Sequence, residues 1–230
     1  VCHEGLGTFN DNKFTANHHA AAFEVHSRGN PTLRNNTFFK SESTGVFVHS
    51  DGVGVFESND FSEHAQGSII VESGGHPTMQ KNRIHDNGKE GLIVRNKGRG
   101  VFADNHFEAN GASGVSVTLQ ACPMLRGNTI IKGKSHGVSV FDDGEGVFIS
   151  NTIQANKESG VDVHSGGKPS IERNQICDNE LTGISVHDEG RATLKDNDIS
   201  RNIAAGLSIS RKGNAVATGN TFHDGLAQGV

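Results

Sequence analysis

The chain of 230 residues contains no tryptophan and no tyrosine, only four prolines, and just 33% hydrophobic residues. This apolar share is small for a globular domain of such length, which argues against a thick central core. No apolar run reaches 18 residues, so hydropathy predicts no membrane-spanning segment. Acidic and basic residues are interleaved at a net charge of −5, without a basic stripe. We therefore expect neither a nucleic-acid partner nor a membrane partner.

Cysteine is also scarce. Cys2, Cys122 and Cys177 occupy different positions of the repeat described below and stand in non-adjacent copies of it. Mutual disulfides are not expected at such separations. Unpaired cysteines favour a reducing compartment, so we expect an intracellular location in the cytoplasm or nucleus.

A repeat of 23 residues dominates the sequence, and asparagine marks it most clearly. Phe or Ile stands two residues after each marker, and a mostly apolar residue stands three residues before it. A period of this length predicts a solenoid, in which each copy buries its apolar side by stacking on its neighbours. The nine markers in strict register are Asn36, Asn59, Asn82, Asn105, Asn128, Asn151, Asn174, Asn197 and Asn220.

The other side of each copy carries a second apolar pair with a period of two, as in Val138/Val140 and Val161/Val163. Alternation of this kind, with β-branched residues and Gly-rich corners, predicts short strands. A leucine-rich repeat would need more leucine and a helical second side, and no helical stripe is present. The sequence therefore predicts an all-β, single-stranded parallel β-helix of the pectin-lyase-like type, with about ten coils, right-handed by the general crossover rule.

The stacked asparagines have a physical explanation in this fold. Asparagine tolerates the left-handed backbone of a tight corner, and its amide can bond the same amide in the next coil, about 4.8 Å away. We interpret these residues as a structural ladder. We expect residues 1–230 to form a single domain that is a piece of a longer protein, with Gly229 and Val230 opening another strand.

Every proline obeys a longer period of 46 residues. In the coils between them the same position holds Gly54, Gly100, Gly146 and Ala192. This alternation gives one corner ridge a regular shape that a partner could use, or it is simply the trace of a duplicated two-coil unit. The four prolines are Pro31, Pro77, Pro123 and Pro169.

The phrases GNPTLRNNTF and GKPSIERNQICDNELTGISV resemble right-handed β-helix repeats of the carbohydrate-binding and sugar-hydrolase (CASH) type. They look most like the β-helix of F-box ubiquitin-ligase substrate receptors, where GxP and GxG coils also alternate. The resemblance covers essentially the whole chain. It implies the β-helix fold and a role in protein recognition, although similar coils occur in polysaccharide lyases, epimerases and periplasmic metal-delivery proteins.

Side chains that flank the buried V-x-V pairs point outward, and two polar neighbourhoods follow from their order. The first has His26 beside His49, with Arg95 nearby. The second has His164 beside His187, with Asp162 on the same face. Stacked imidazoles with a carboxylate could ligate zinc or copper or share a proton near neutral pH, or they are solvated rungs of an exposed sheet. We predict no resident metal, with His164 and His187 as the only candidates for ligands.

An outward apolar column of Phe47, Ile70 and Ile93 indicates a partner surface or a covering segment. The Asn-Thr-Asp, Asp-Asp and Gly-His-Gly sets of pectin hydrolases and the Asp-Pro-His-Asp set of alginate epimerases are not found. The sequence thus favours a non-enzymatic scaffold for protein recognition, with a protein partner and no cofactor, and the resemblance to F-box receptors implies a place in a ubiquitin ligase. The alternatives are a carbohydrate-binding or polysaccharide-cleaving or epimerising module that uses the His164/His187 face, and a metal-binding β-helix.

Overall fold

A computed structural model describes residues 1–227, and the predicted strand at Gly229 and Val230 lies outside them. Twenty-nine short strands run through this part of the chain, and it contains no helix. Each 23-residue repeat contributes three strands, one to each of three parallel sheets. No helical segment that could cross a membrane occurs in residues 1–227.

The first sheet has ten strands, which are β1 (Leu6–Asn10), β4 (Asn30–Arg34), β7 (Val55–Glu57), β10 (Thr78–Gln80), β13 (Val101–Ala103), β16 (Met124–Arg126), β19 (Glu145–Ile149), β22 (Lys168–Glu172), β25 (Arg191–Lys195) and β28 (Asn214–Thr218). The second sheet also has ten, which are β2 (Lys13–Thr15), β5 (Thr37–Phe39), β8 (Asp60–Ser62), β11 (Arg83–His85), β14 (His106–Glu108), β17 (Thr129–Ile131), β20 (Thr152–Gln154), β23 (Gln175–Cys177), β26 (Asp198–Ser200) and β29 (Thr221–His223).

The third sheet carries the V-x-V pairs and has nine strands, which are β3 (Phe23–Val25), β6 (Val46–Val48), β9 (Ile69–Val71), β12 (Leu92–Val94), β15 (Val115–Val117), β18 (Val138–Val140), β21 (Val161–Val163), β24 (Ile184–Val186) and β27 (Leu207–Ile209). Pairing is parallel and in register, so that Val138 faces Val161 and Val140 faces Val163. The predicted parallel β-helix is confirmed, with about nine turns.

The core is one narrow column, which explains the low apolar content. In each coil of the middle of the chain, the V-x-V pair meets one apolar side chain from each of the other two sheets. Equivalent side chains stack along the axis: the rings of Phe14 and Phe38 are 4.6 Å apart, and those of Phe38 and Phe61 are 4.7 Å apart. Few residues suffice because every buried side chain is shared by adjacent coils.

The asparagine ladder runs along the corner between the first and second sheets. Asn128 donates from its backbone N–H and its Nδ2 to Oδ1 of Asn151, each over 2.9 Å. Its Nδ2 also donates to the carbonyl of Phe102, over 2.9 Å. In turn its Oδ1 accepts from the backbone N–H and Nδ2 of Asn105. Each amide therefore satisfies the buried polar groups of a corner that the sheets leave unpaired.

The left-handed residue at this corner is the one before the ladder position, which differs from the sequence-based explanation. Asn35 has a φ of 55° and Ser150 a φ of 54°, whereas the ladder residues Asn36 and Asn151 are not among those with positive φ. The preceding residue makes the turn, and the asparagine is required for its amide.

The three cysteines are free, with Cys2 and Cys122 exposed and Cys177 buried.

Glycine before the V-x-V pair is explained by the close approach of neighbouring coils. A Cβ on Gly137 would lie 2.3 Å from Cγ2 of Ile153 and 2.6 Å from the carbonyl oxygen of Gly160. No side chain fits between these atoms. The glycine therefore allows the backbone before the V-x-V pair to lie directly against the neighbouring coil.

Replacing Val163 by alanine should lower the free energy of unfolding by about 1 to 3 kcal/mol, because Val163 is fully buried and a rigid stack cannot close the cavity. Urea unfolding followed by circular dichroism measures this loss. Ser185→Ala, on the outward side of the next strand, is the control and should change stability by less than about 0.5 kcal/mol. Equal effects of the two substitutions would contradict the inward and outward assignment.

Candidate functional site

Asp162 is an outward-facing side chain that is nevertheless buried. It is the central residue of β21, between the core residues Val161 and Val163, and its side chain is 7% exposed. Outward serines on the two preceding strands, Ser116 and Ser139, are buried as well. This stretch of the third sheet therefore carries side chains that cover it from outside.

Three histidines surround the Asp162 carboxylate. Nε2 of His187 lies 3.1 Å from Oδ1, Nε2 of His164 lies 3.7 Å from Oδ2, and Nε2 of His136 lies 3.8 Å from Oδ2. The histidine side chains are 22 to 27% exposed, so each reaches solvent while facing a buried charge. A carboxylate so placed orients the rings and stabilises positive charge on them. We call Asp162, His136, His164 and His187 the Asp162 cluster.

His187 is held between two carboxylates. Its Nε2 faces Asp162, and its Nδ1 lies 2.8 Å from Oδ2 of Asp188. Both nitrogens can donate only when the ring is protonated. The hydrogen bond from His187 lowers the pKa of the Asp188 carboxyl below its usual range, and Arg211 acts in the same direction.

The tautomer of His136 follows from its contacts. The backbone N–H of Ser159 donates to its Nδ1 over 3.2 Å, so in this arrangement the ring proton is on Nε2. That nitrogen lies 3.0 Å from Oε2 of Glu158, which also accepts from the Ser135 hydroxyl. His136 is thus a hydrogen-bond donor aimed at carboxylates.

His164 is the least constrained of the three rings. Its Nδ1 lies 3.0 Å from the Ser165 hydroxyl, and its Nε2 is too far from Asp162 for a hydrogen bond. The ring is stacked between Phe141 and His187, with centroids 5.1 and 5.3 Å away. Stacking and the Ser165 contact hold the ring while leaving Nε2 able to take or give a proton.

No group of three or more His, Cys, Asp and Glu side chains within residues 1–227 has an arrangement suited to a metal ion. His164 and His187 both direct Nε2 at Asp162, so the carboxylate occupies the place between them.

The first predicted neighbourhood lies six coils away on the same sheet and is more open. His26 and His49 stack with centroids 5.2 Å apart, and Nε2 of His49 lies 2.7 Å from Oε1 of Glu24. This carboxylate is 46% exposed, in contrast to Asp162. Arg95 forms an ion pair with Glu72 over 2.6 Å rather than joining the histidines. The geometry repeats that of Asp162 and His187 without the burial.

The apolar column is less open than its outward position suggested. Phe47, Ile70 and Ile93 are only partly exposed. The Phe47 ring stacks on His49 at 4.2 Å, and the Cδ1 of Ile93 fills the space above Gly67. The column thus packs beside the first neighbourhood, away from the Asp162 cluster.

Sequence reasoning missed His136 and Glu158. Both belong to the corner before a third-sheet strand, where the alternation of inward and outward side chains is interrupted. A period of two cannot say where such residues point. Only the three-dimensional structure of the corner shows where these two side chains lie.

A family model described as the right handed beta helix region matches residues 2–140 and 120–230. The chain belongs to the right-handed β-helix family. The predicted handedness is thereby supported along with the fold. A search of curated proteins finds no significant match to this β-helix.

Solved structures similar to this β-helix include polysaccharide-modifying enzymes. A point mutant of the periplasmic alginate epimerase AlgG matches with a TM-score of 0.77 and 14% identity, over 96% of this chain and 61% of that one. Pectate lyase Pel9A matches with a TM-score of 0.65 and 12% identity, over 96% of this chain and 70% of that one. The AlgE6 A-module, a mannuronan C-5 epimerase of Azotobacter vinelandii, gives 0.61 and 14%, over 97% and 80%. At these identities the likeness establishes the fold.

These comparisons correct the main functional prediction. A non-enzymatic scaffold for protein recognition in a ubiquitin ligase is wrong, because the fold neighbours are alginate epimerases and a pectate lyase. The resemblance to F-box receptors rested on the alternating GxP and GxG coils. Those coils specify the β-helix itself, and one fold carries many functions.

Proposed function

We propose that this β-helix is a carbohydrate-active module that binds a polysaccharide across the outward face of its third sheet and transfers a proton at the Asp162 cluster. The observation that carries the proposal is one buried carboxylate with three imidazoles within 4 Å. A buried charge that orients proton-transfer groups at a partly open surface is typical of catalytic sites.

The geometry suits removal of a proton from a sugar carbon that bears a carboxyl group, as in a uronate residue. Nε2 of neutral His164 takes the proton as the C–H bond breaks, and the electron pair moves toward the carboxyl group. When both ring nitrogens of His187 carry a proton and donate to Asp162 and Asp188, the ring offers positive charge to the developing oxyanion.

The carbanion formed by removal of this proton, with its electron pair spread into the carboxyl group, can react in two ways. Return of a proton to the same carbon from the opposite face epimerises the sugar. Breakage of the neighbouring C–O bond cleaves the chain, with a proton going to the leaving oxygen. His136, which carries its proton on Nε2, approaches the same Asp162 oxygen as His164, and we therefore assign to it the donation to the leaving oxygen. The names of the fold neighbours, which include both epimerases and a lyase, support this class of substrate and reaction.

The test is deuterium exchange into alginate and polygalacturonate in D₂O, followed by NMR. Wild type should incorporate deuterium next to the carboxyl group or, where the chain is cleaved, form an unsaturated uronate at the new chain end. His164→Ala and Asp162→Asn should each lower the rate by about 100-fold or more. His164→Ala should leave the circular-dichroism spectrum unchanged, since its ring lies outside the core.

His49→Ala is the matched control, because His49 has the same contact to a carboxylate and the same stacking without a buried charge. Its rate should equal that of wild type. Absence of both exchange and unsaturated chain ends in the wild type with both polymers, or full activity in His164→Ala, would refute the proposed chemistry.

A further inference from the structure

A surface groove lies beside the Asp162 cluster rather than on it. It follows the corner between the third and first sheets over several coils and has a volume of about 960 Å³. This is the ridge where proline and glycine alternate along the chain, with Gly100 and Gly146 on either side of Pro123. Both glycines have a positive φ, 135° and 137°, that a side chain would disfavour.

The groove has an apolar floor. Val101, Met124 and Val147 belong to the first-sheet strands β13, β16 and β19, flank buried residues, and line the groove together with Pro123. Met124 is 39% exposed and pairs with Val101 and Val147, which are partly exposed, so the three form a contiguous apolar strip open to solvent. A flat apolar strip of this kind fits the C–H face of sugar rings.

The rim of the groove is charged, and its cations are only partly neutralised. Lys168 pairs with Asp143 over 3.5 Å. Lys97 and Arg99, both exposed, form no ion pair with any residue of the described part of the chain. They face Glu145 as the only remaining carboxylate of the lining. Within residues 1–227, Lys97 and Arg99 are thus two cations without ion-pair partners beside an apolar surface. This combination suits a ligand made of sugar rings that carry carboxylates.

The groove connects with the Asp162 cluster. A second cavity of about 400 Å³ shares Gln120 and Asp143 with it and is lined also by Ser165. The hydroxyl of Ser165 is the group that contacts Nδ1 of His164. The second cavity therefore extends from the groove to Ser165, which contacts the ring to which proton transfer is assigned.

We propose that this groove is a binding site for an acidic polysaccharide, with Lys97 and Arg99 holding uronate carboxylates and the Val101–Met124–Val147 floor supporting the sugar rings. This inference rests on the proposed function for its choice of polymer. It assigns the affinity for the polymer to a surface that is separate from the proton-transfer residues.

Isothermal titration calorimetry with an alginate oligosaccharide tests the proposal on the full chain. Lys97→Ala/Arg99→Ala should weaken binding at least about tenfold and reduce its dependence on salt. Lys81→Ala/Lys89→Ala is the matched control, since it removes two cations that are exposed at other corners and are not among the groove residues. The control should bind as wild type does.

The outcomes separate the two proposals. Unchanged binding by Lys97→Ala/Arg99→Ala overturns the groove assignment and leaves the proton-transfer proposal standing. Groove-dependent binding without any exchange or cleavage supports the groove and refutes the chemistry. Neutral cellohexaose should bind far more weakly than alginate. Equal binding of cellohexaose or of poly-L-glutamate, or no binding of alginate, would overturn the assignment to an acidic polysaccharide.

Discussion

Replacing Asn128 by alanine is expected to lower the free energy of unfolding by about 4 kcal/mol, more than an ordinary core substitution of similar size. The change removes the two hydrogen bonds that Nδ2 of Asn128 donates to Asn151 and Phe102, together with the two that its Oδ1 accepts from Asn105. The backbone N–H of Asn128 is retained. The backbone N–H of Asn105 would then be buried without its partner, Nδ2 of Asn105 would keep only its bond to the Met79 carbonyl, and such unsatisfied groups are costly.

Urea unfolding followed by circular dichroism measures this effect. Asn30→Ala is the control, because Asn30 is exposed on β4 and has no part in the ladder. It should change stability by less than about 0.5 kcal/mol. A loss below about 1 kcal/mol for Asn128→Ala would show that water replaces the amide, and the ladder would then be a consequence of the fold rather than a support for it.

A second large effect is expected at His64, as a dependence of stability on pH. His64 is 1% exposed and occupies the position of the second asparagine column, where Asn87 and Asn110 stand in the following coils. Its Nδ1 accepts from the backbone N–H of Ser41, and its Nε2 has no hydrogen-bond partner in residues 1–227. Burial lowers the pKa of His64 to about 4.

Because the folded pKa of His64 lies below the unfolded value of 6.5, the unfolded chain takes up a proton first as pH falls. Stability is therefore unaffected by His64 above pH 6.5 and is lost as pH falls from there toward about 4. The loss between neutral pH and the folded pKa amounts to about 3 kcal/mol.

His64→Asn should remove this dependence, since an asparagine in this position can donate to the Phe38 carbonyl as Asn110 does to that of Ile84. The measurement is urea unfolding of wild type and variant across the pH range. His19→Asn, at an exposed histidine, serves as the control and should follow wild type at every pH. Parallel curves for wild type and His64→Asn would contradict a neutral, buried His64.

The corner that carries the proposed groove shows how far sequence reasoning reached. The 46-residue spacing of the prolines indicated a ridge of alternating shape, and the structure has a groove along it. The stacking of Val101, Met124 and Val147 follows from their 23-residue spacing. The groove that they line was not foreseen, because it depends on the shape of the corner beside them.

The sequence alone determined the coil, because a strict 23-residue period in a parallel stack places each residue over its equivalent. Asn128 over Asn151 and His164 over His187 follow from counting. Contacts across a corner do not, since the chain turns there through left-handed residues that interrupt the alternation. The approach of His136 to Asp162 is therefore seen only in the three-dimensional structure. Burial of the Asp162 carboxylate likewise depends on side chains from several coils. Tertiary structure decided the site because lateral neighbours on a solenoid are set by the shape of its corners.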